Sequence, residues 1–323
     1  MNLKSSLCDL KDRALRAIAA MKTKLGPFFR KHITISLHLF DTLIRPILMY
    51  ASDFWGCLKL PKNNPIENVH MRFCKELLGV QKQTNNMGVL LELGRIPLNI
   101  FGKKLCVKNW ERIALQKAND IVNNSYLFNI SNDTGWSRAI KDSVSRIGLM
   151  TVFINQANKP PNVLVFGRES DIFYQEAFTQ IQNASKLGTL SLLKTDIGIE
   201  NYLTAVPNTI ERVSLSKFRL SNHTLMVVEK GRHENIKREE VEVEDEFHFL
   251  IKCQTYSPLR DKLFYEIKKN IPDFYYPPDE RFLFWFLLNC PSIIPFTAHF
   301  IHSAFDLRND LRNFLLDKHR DYC

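Results

Sequence analysis

The fold is decided by the first long amphipathic stretch of the chain, which reads Leu3-Lys-Ser-Ser-Leu-Cys-Asp-Leu-Lys-Asp-Arg-Ala-Leu-Arg-Ala-Ile-Ala-Ala-Met-Lys-Thr-Lys-Leu25. Its apolar residues recur at steps of three or four, the spacing that places side chains on one face of an α-helix. They are Leu3, Leu7, Leu10, Ala14, Ile18, Met21 and Leu25. Gly26-Pro27 follows and ends the pattern. The stretch predicts a helix that buries one face and exposes a lysine-rich one.

Helical spacing continues through most of the 323 residues. Patterns typical of helices cover 34–55, 66–78, 98–122, 137–147, 172–187, 202–220, 257–270, 281–289 and 295–319. Pro46 removes a backbone donor within the first of these, so we expect a kink or a break there. The β-branched segments 163–166 and 225–228 fit either strands or buried irregular chain. The sequence predicts a mainly α fold with minor β structure.

Composition marks a boundary between two domains. The chain is 45% apolar and 11% aromatic, which is typical of a globular protein, and its length fits two domains. Residues 123–162 contain many Asn, Asp and Ser residues and the pair Pro160-Pro161, a composition of loops. We therefore predict a basic helical region over 1–122, a loop-rich connection over 123–162 and a mostly helical region over 163–323.

The positive charge of the chain is concentrated near its N-terminus. Residues 1–120 hold 20 Lys+Arg and 9 Asp+Glu, a net charge of +11, whereas 121–323 hold 24 and 25, a net charge of −1. A basic surface gains affinity for phosphates by displacing their counterions, so we expect a polyanionic partner, with a basic face that only keeps the chain soluble as the alternative. The candidate binding residues are Lys11, Arg13, Lys22, Lys24, Lys103, Lys104, Lys108 and Arg112.

Cysteine usage and hydropathy indicate an intracellular protein without a membrane span. The seven cysteines are scattered and never spaced as Cys-x-x-Cys, which fits reduced thiols in the nucleus or cytoplasm. The first 25 residues mix charged and apolar positions, so they predict no signal peptide and no secretion. The apolar stretch 282–301 is interrupted by Asn289, Pro291, Pro295 and His299, and we interpret it as two buried helices.

Catalytic signatures are absent from the sequence. There is no Asp-Asp pair of the kind that holds polymerase metals, and no P-loop, dinucleotide-binding, Gly-x-Ser-x-Gly or His-Glu-x-x-His pattern. We therefore expect no enzymatic activity and no catalytic residues. Two tryptophans, Trp55 and Trp110, resemble base-stacking platforms, but their neighbours favour packing in the core for both.

One C-terminal segment carries residue types that bind zinc. His248 and Cys253 follow the acidic run 239–246, but a closed structural zinc site needs four ligands. Contiguous carboxylates repel one another and more often form a solvated face than a metal site. We therefore favour a packed histidine and a buried thiol, and expect no cofactor.

Five blocks of sequence carry a family resemblance. They are Leu43-Ile-Arg-Pro-Ile-Leu-Met-Tyr-Ala-Ser-Asp-Phe-Trp-Gly56, His70-Met-Arg-Phe-Cys-Lys75, Leu91-Glu-Leu-Gly-Arg-Ile-Pro-Leu98, Ser221-Asn-His-Thr-Leu225 and Val243-Glu-Asp-Glu-Phe-His-Phe-Leu-Ile-Lys-Cys253. In this order they are similar to the region that follows the polymerase palm in reverse transcriptases of non-LTR retrotransposons, which are LINE-like mobile elements. The order of the blocks carries the resemblance more than any single block does.

The resemblance implies a helical thumb-like bundle followed by a second helical domain. The basic N-terminal helices would lie along a template–primer duplex and contact the DNA or RNA backbone without reading sequence. The fingers and palm, with their metal-binding Asp-Asp, have no counterpart in this chain. In the family a Cys-x-x-Cys pair completes a zinc knuckle; here 231–260 lacks that pair, so His248 and Cys253 are degenerate ligand positions and no zinc is implied.

Three functions fit these observations. The first is a partial, noncatalytic reverse-transcriptase-related protein that binds nucleic acid nonspecifically, and this is the one we favour. The second is a helical protein-interaction scaffold recruited from a mobile element. The third is a truncated piece of an active reverse transcriptase. The sequence does not indicate whether the chain forms oligomers.

Overall fold

The computed structural model of the chain describes residues 3–60, 63–114, 121–150, 162–223, 225 and 245–320. It is 75% helical, which confirms the predicted mainly α fold. In the described residues the only β pairing is a single antiparallel bridge between Leu93 and Ile199, and strands are not found there. The minor β expectation is wrong for 163–166, which lies in a long helix, and 226–228 falls outside the described residues.

The helices follow one another along the described parts of the chain. In the first half they are α1 (Leu3–Leu25), α2 (Phe28–Lys31), α3 (Ile33–Leu39), α4 (Arg45–Leu48), α5 (Ser52–Trp55), α6 (Pro65–Leu78), α7 (Asn86–Glu92), α8 (Leu98–Ala114), α9 (Ile121–Ser131) and α10 (Gly135–Arg146). In the second half they are α11 (Asn162–Asn183), α12 (Gly188–Leu193), α13 (Tyr202–Ala205), α14 (Thr209–Arg219), α15 (Ser257–Asn270), α16 (Glu280–Asn289) and α17 (Ile294–Arg320). Two π-helical turns span Phe40–Ile44 and His248–Lys252, and a 3-10 turn spans Gln254–Tyr256.

The chain divides into two compact units whose segments interleave along the sequence. Unit 1 comprises residues 1–26, 34–73 and 95–177, and unit 2 comprises 27–33, 74–94 and 178–323. These are not the consecutive segments that composition suggested. Two of the boundaries fall inside α6 and α11, where the sequence has no loop signal because the helix continues.

In unit 1, α1 buries the apolar stripe that the sequence predicts, including Leu7, Ala14 and Met21, and packs against the Phe40–Ile44 turn and α4. The predicted helix over 34–55 is divided. Pro46 is the second residue of α4, directly after the π-helical turn, so its missing N–H falls at a point where the regular ladder is already interrupted.

Helices α5 and α8 of unit 1 pack backbone to backbone. A Cβ built on Gly56 would collide with the carbonyl of Gly102, so only glycine allows this approach. Around the contact, Trp110 joins a buried cluster with Tyr126, Ile140 and Val144 that ties α8 to α9 and α10.

Unit 2 is organised around α17, which packs against α13, α14, α15 and α16. Its core is aromatic where Phe218 and Phe305 surround Phe249. The predicted helix over 202–220 is broken into α13 and α14 next to Pro207, and the Asn208 side chain caps α14 by accepting from the Ile210 N–H at 2.9 Å.

Among the described residues, none of the helices is both long and apolar enough to cross a bilayer alone. Within the same part of the chain, one pair of consecutive helices, Glu280–Asn289 and Ile294–Leu311, is long and apolar enough when taken together, and the two are bent by 101° at their break.

Candidate nucleic-acid interface

All eight basic residues proposed from the sequence lie in unit 1. Helix α1 carries Lys11, Arg13, Lys22 and Lys24, and α8 carries Lys103, Lys104, Lys108 and Arg112. Unit 1 holds 21 Lys+Arg against 12 Asp+Glu, a net charge of +9, whereas unit 2 holds 23 against 22, a net charge of +1. The fold therefore gathers almost all of the net positive charge into one compact unit.

The outer face of α1 is basic because its apolar face is turned inward. The helix holds six Lys+Arg and two Asp+Glu, and Arg13 and Lys24 are exposed. Each acidic residue meets a neighbouring cation: Arg13 reaches Asp9 at 2.9 Å and Lys11 reaches Asp12 at 3.3 Å. Exposed pairs of this kind contribute only about 0–1 kcal/mol, so a polyanion can displace them.

On α8, Lys103 is turned toward the interior of unit 1. Its Nζ lies 2.9 Å from Oε2 and 3.0 Å from Oε1 of Glu169, whose side chain is only 3% exposed. The Arg146 guanidinium contacts the same carboxylate. Two cations thus share one buried carboxylate, and a phosphate would have to compete with Glu169 for Lys103.

The other basic residues of α8 have different surroundings. Lys104 Nζ lies 4.7 Å from the centroid of the Phe166 ring, and Arg112 donates to Asn109 Oδ1 at 2.9 Å. Lys108 is exposed. Lys108 and Arg112 are thus the members of this helix best placed to meet a polyanion.

Both tryptophans are packed in the core, as the sequence predicts. Trp110 is fully buried and donates from Nε1 to the Tyr126 hydroxyl at 2.9 Å, while Trp55 donates to the Tyr50 carbonyl at 2.9 Å. Neither indole is available to stack on a base. Phe54 and Tyr50, which lie near Trp55 in the chain, are exposed.

A second carboxylate in unit 1 is shared by two arginines. Arg95 donates to both oxygens of Asp41 at 2.6 Å, and Arg45 reaches Asp41 at 3.2 Å. Burial on its own would raise the pKa of the Asp41 carboxyl, but the hydrogen bonds and charge of Arg95, with Arg45, hold it below its ordinary value. This site, like that of Glu169, carries one excess positive charge.

Unit 2 contains a buried network of charged side chains. Arg219 Nε lies 3.0 Å from Glu92 Oε1, and its Nη2 lies 2.5 Å from Glu200 Oε2. Lys194 Nζ reaches the other Glu200 oxygen at 2.6 Å. The side chains of these four residues are at most 11% exposed. Two buried cations thus face two buried carboxylates, and the exposed Asp196 adds a third carboxylate 3.3 Å from Lys194 Nζ.

The titration of this network follows from its burial. Burial raises the pKa of Glu92, with the charge of Arg219 opposing it, and burial likewise raises the pKa of Tyr202, which lies against the Arg219 guanidinium. Burial would lower the pKa of Arg219, but Glu92 and Glu200 more than offset this. The arrangement holds structure together and leaves no accessible group for chemistry.

Two of the sequence blocks meet at Glu246 of unit 2. Its Oε1 accepts from Ser221 Oγ at 2.7 Å and lies 2.9 Å from His223 Nε2, while His223 Nδ1 accepts from the Leu225 N–H at 3.3 Å. Burial opposes ionisation of Glu246, but the bonds from His223 and Ser221 lower its pKa overall. Ser and His both bind the carboxylate rather than each other, which is not the order of a catalytic triad.

The two zinc-capable residues lie at opposite ends of a π-helical turn. The backbone N–H of Cys253 donates to the His248 carbonyl at 2.8 Å, and the His248 N–H donates to Asp245 Oδ1 at 2.7 Å. Within the residues that the structure describes, no group of three or more His, Cys, Asp or Glu side chains is arranged to hold a metal. Residues 231–244 of the segment 231–260, which include most of the acidic run 239–246, lie outside them, so the absence of zinc stays a prediction.

Sequence reasoning missed the ion pairs described above. Glu92 and Arg95 belong to the block Leu91–Leu98, and Ser221 and Glu246 belong to the C-terminal blocks, so the motifs themselves were the signal that could have found them. Their partners are far away in sequence: Glu92 and Arg219 are 127 residues apart. Nothing local indicates such a pairing.

Comparison with known proteins identifies no relative of this chain. No family model matches it, and neither the curated proteins nor the solved structures include a significant match.

Proposed function

We propose that unit 1 binds nucleic acid through the sugar–phosphate backbone, without sequence preference and without catalysis. The observation that carries the proposal is the sorting of charge, +9 in unit 1 against +1 in unit 2. Lys and Arg side chains that contact phosphates release counterions, and this sequence-independent term dominates nonspecific binding. DNA and RNA backbones both offer this chemistry.

The accessible part of the surface is a subset of the residues that the sequence suggested. Arg13, Lys24, Lys108 and Arg112 are exposed, whereas Lys103 is held by Glu169. We infer that the exposed residues contact phosphates and that Lys103 positions α8.

The proposed origin is the region after the palm of a non-LTR reverse transcriptase. Ion pairs and hydrogen bonds that link residues of different blocks support this origin. Arg45 and Arg95 both pair with Asp41, and Ser221 and His223 both contact Glu246. Blocks with joint structural roles are expected to occur together in a sequence. The proposed lack of catalysis rests on the sequence, which contains no Asp-Asp pair.

Salt-dependent binding tests the proposal. We would measure the affinity of the chain for a random-sequence duplex, a single strand and an RNA–DNA hybrid between 50 and 200 mM salt. If six to ten phosphates are contacted, affinity should fall by about 10³–10⁵-fold over this range. Replacing Lys24 and Lys108 by Ala should weaken binding to all three and reduce the magnitude of the salt slope by about 1–2.

The matched control replaces two exposed lysines of unit 2, Lys268 and Lys269, by Ala. It removes the same charge from the chain, so it should leave affinity nearly unchanged if binding resides in unit 1. Equal losses of affinity in both variants would show that binding depends on the net charge of the chain and not on the surface of unit 1. No detectable binding at 50 mM salt would refute nucleic-acid binding and favour the protein-interaction scaffold.

A further inference from the structure

Two cysteines of unit 1 are brought together by the close approach of α5 and α8. Cys57 directly follows Gly56, and Cys106 lies one helical turn after Gly102, so the two glycines that allow the backbones to touch also bring these side chains together. Cys106 is fully buried in the cluster around Trp110, and the partly exposed Cys57 packs against that cluster.

The two thiols are within hydrogen-bond reach of each other. The Cys57 thiol donates to the Cys106 sulfur, which lowers the pKa of Cys106, while the same hydrogen bond and burial raise the pKa of Cys57. The pair therefore gives up its first proton more readily than its second. A thiolate beside a thiol is the starting arrangement for thiol–disulfide exchange.

We propose that Cys57 and Cys106 form a reversible disulfide, with a low-molecular-weight disulfide such as oxidised glutathione as the oxidant. An S–S bond is about 2.05 Å long and requires Cβ atoms about 3.5–4.5 Å apart, so the two side chains must move from contact into covalent geometry. The inference concerns the covalent state of unit 1 and does not depend on the proposed binding function.

The exchange proceeds in two balanced steps. Cys106 first releases its proton to water; the proton of Cys57 then passes to the Cys106 thiolate, and the Cys57 thiolate attacks one sulfur of oxidised glutathione, which releases one glutathione thiolate. Cys106 then loses its proton to that thiolate and attacks the Cys57 sulfur, which releases the second glutathione as a thiolate that takes up a proton from water. Two protein thiols are oxidised and one glutathione disulfide is reduced.

Cys57 is the entry point because it is the partly exposed member of the pair, and Cys106 is the resolving thiol because it is buried. The bond would join α5 to α8 across residues 49 positions apart in sequence. Closing a loop of that length restricts the unfolded chain, so the oxidised protein should be more stable than the reduced one.

Peptide mapping of the full chain tests the proposal directly. Reduced protein is incubated with mixtures of reduced and oxidised glutathione, quenched with acid, alkylated and digested. We expect a cross-linked peptide pair containing Cys57 and Cys106, lighter than the two thiol peptides by two hydrogen atoms and abolished by dithiothreitol. The melting temperature should rise by roughly 5–15 °C on oxidation.

The variant Cys57→Ser should lose both the cross-link and the oxidant-dependent rise in melting temperature. The matched control Cys290→Ser, a partly exposed thiol of unit 2, should keep both. A stable mixed disulfide of glutathione on Cys57 with Cys106 still alkylated, or a bond from Cys57 to any other cysteine, would overturn the proposal. Because the mapping needs only the unmodified sequence, the outcome does not depend on whether a variant folds.

Discussion

Units 1 and 2 both bury charged side chains, but they balance them differently. In unit 1, Asp41 is shared by Arg45 and Arg95, and Glu169 is shared by Lys103 and Arg146, so each site keeps one excess positive charge. In unit 2 the two buried cations, Lys194 and Arg219, meet the buried carboxylates of Glu92 and Glu200, and the exposed Asp196 also reaches Lys194. The comparison shows that cations outnumber the carboxylates they share in unit 1, where Arg45 and Arg146 stay partly exposed, but not in unit 2.

The largest expected effect comes from breaking the buried network of unit 2. Arg219→Ala leaves Glu92 and Glu200 buried with too little positive charge, so the free energy of unfolding should fall by about 3–5 kcal/mol. Urea denaturation followed by circular dichroism measures this. Arg138→Ala in unit 1 removes only the exposed pair with Asp133 and should change stability by less than about 1 kcal/mol. Similar losses of unfolding free energy in the two variants would show that the network of unit 2 contributes no more to stability than an exposed ion pair.

The next effect tests the backbone contact of unit 1. Gly56→Ala forces α5 away from α8, because the new Cβ would collide with the Gly102 carbonyl, and should cost about 1–3 kcal/mol. Gly167→Ala provides the contrast: it lies in α11 with open space around it, so it should stabilise the protein by about 0.5–1 kcal/mol through helix propensity. Thermal denaturation should show a lower melting temperature for Gly56→Ala and a higher one for Gly167→Ala than for the unmodified protein. A neutral Gly56→Ala would mean that the helices separate freely.

The smallest effect is a change in the pH dependence of stability. The pKa of Asp41 is lowered from 3.8, so its stabilisation is present in full above about pH 4 and is lost as the pH falls through the lowered pKa. Asp41→Asn should therefore cost about 1–2 kcal/mol at pH 7 and progressively less below pH 3.8. Denaturant midpoints from pH 2.5 to 7 measure the difference between the two proteins.

A difference between Asp41→Asn and the unmodified protein that stays constant across this range would contradict the assignment. The corresponding change in unit 2, Glu246→Gln, provides a parallel, since the pKa of Glu246 is also lowered and its stabilisation is likewise lost in acid. Comparing the two variants shows how much of the loss of stability in acid comes from the carboxylate in each unit.

Helices with strong local signals were predicted closely. The predicted helix over 257–270 is the observed Ser257–Asn270, and 66–78 is observed as Pro65–Leu78, ending where Gly79 adopts a left-handed conformation. Segment 163–166 was misjudged because a short β-branched run has no periodicity of its own and takes the conformation of the helix around it.

The candidate site was only partly predictable. The sequence singled out basic residues, and the fold confirms that they share one unit, but whether they bind nucleic acid stays a prediction. Lys103 and Lys108 look equivalent in the sequence, yet one is held by Glu169, 66 residues away, and the other is exposed. A local pattern gives the face of a helix and says nothing of what packs against it.

The sequence by itself determined that the chain is mainly helical, where most helices lie, which face of α1 is buried and that the excess charge is positive. These follow from interactions between residues three or four positions apart, which periodicity records. Only the tertiary structure decided which charges are neutralised, that the units interleave, and that Cys57 meets Cys106. These depend on contacts between residues from about 50 to more than 120 positions apart, which form only when the whole chain packs.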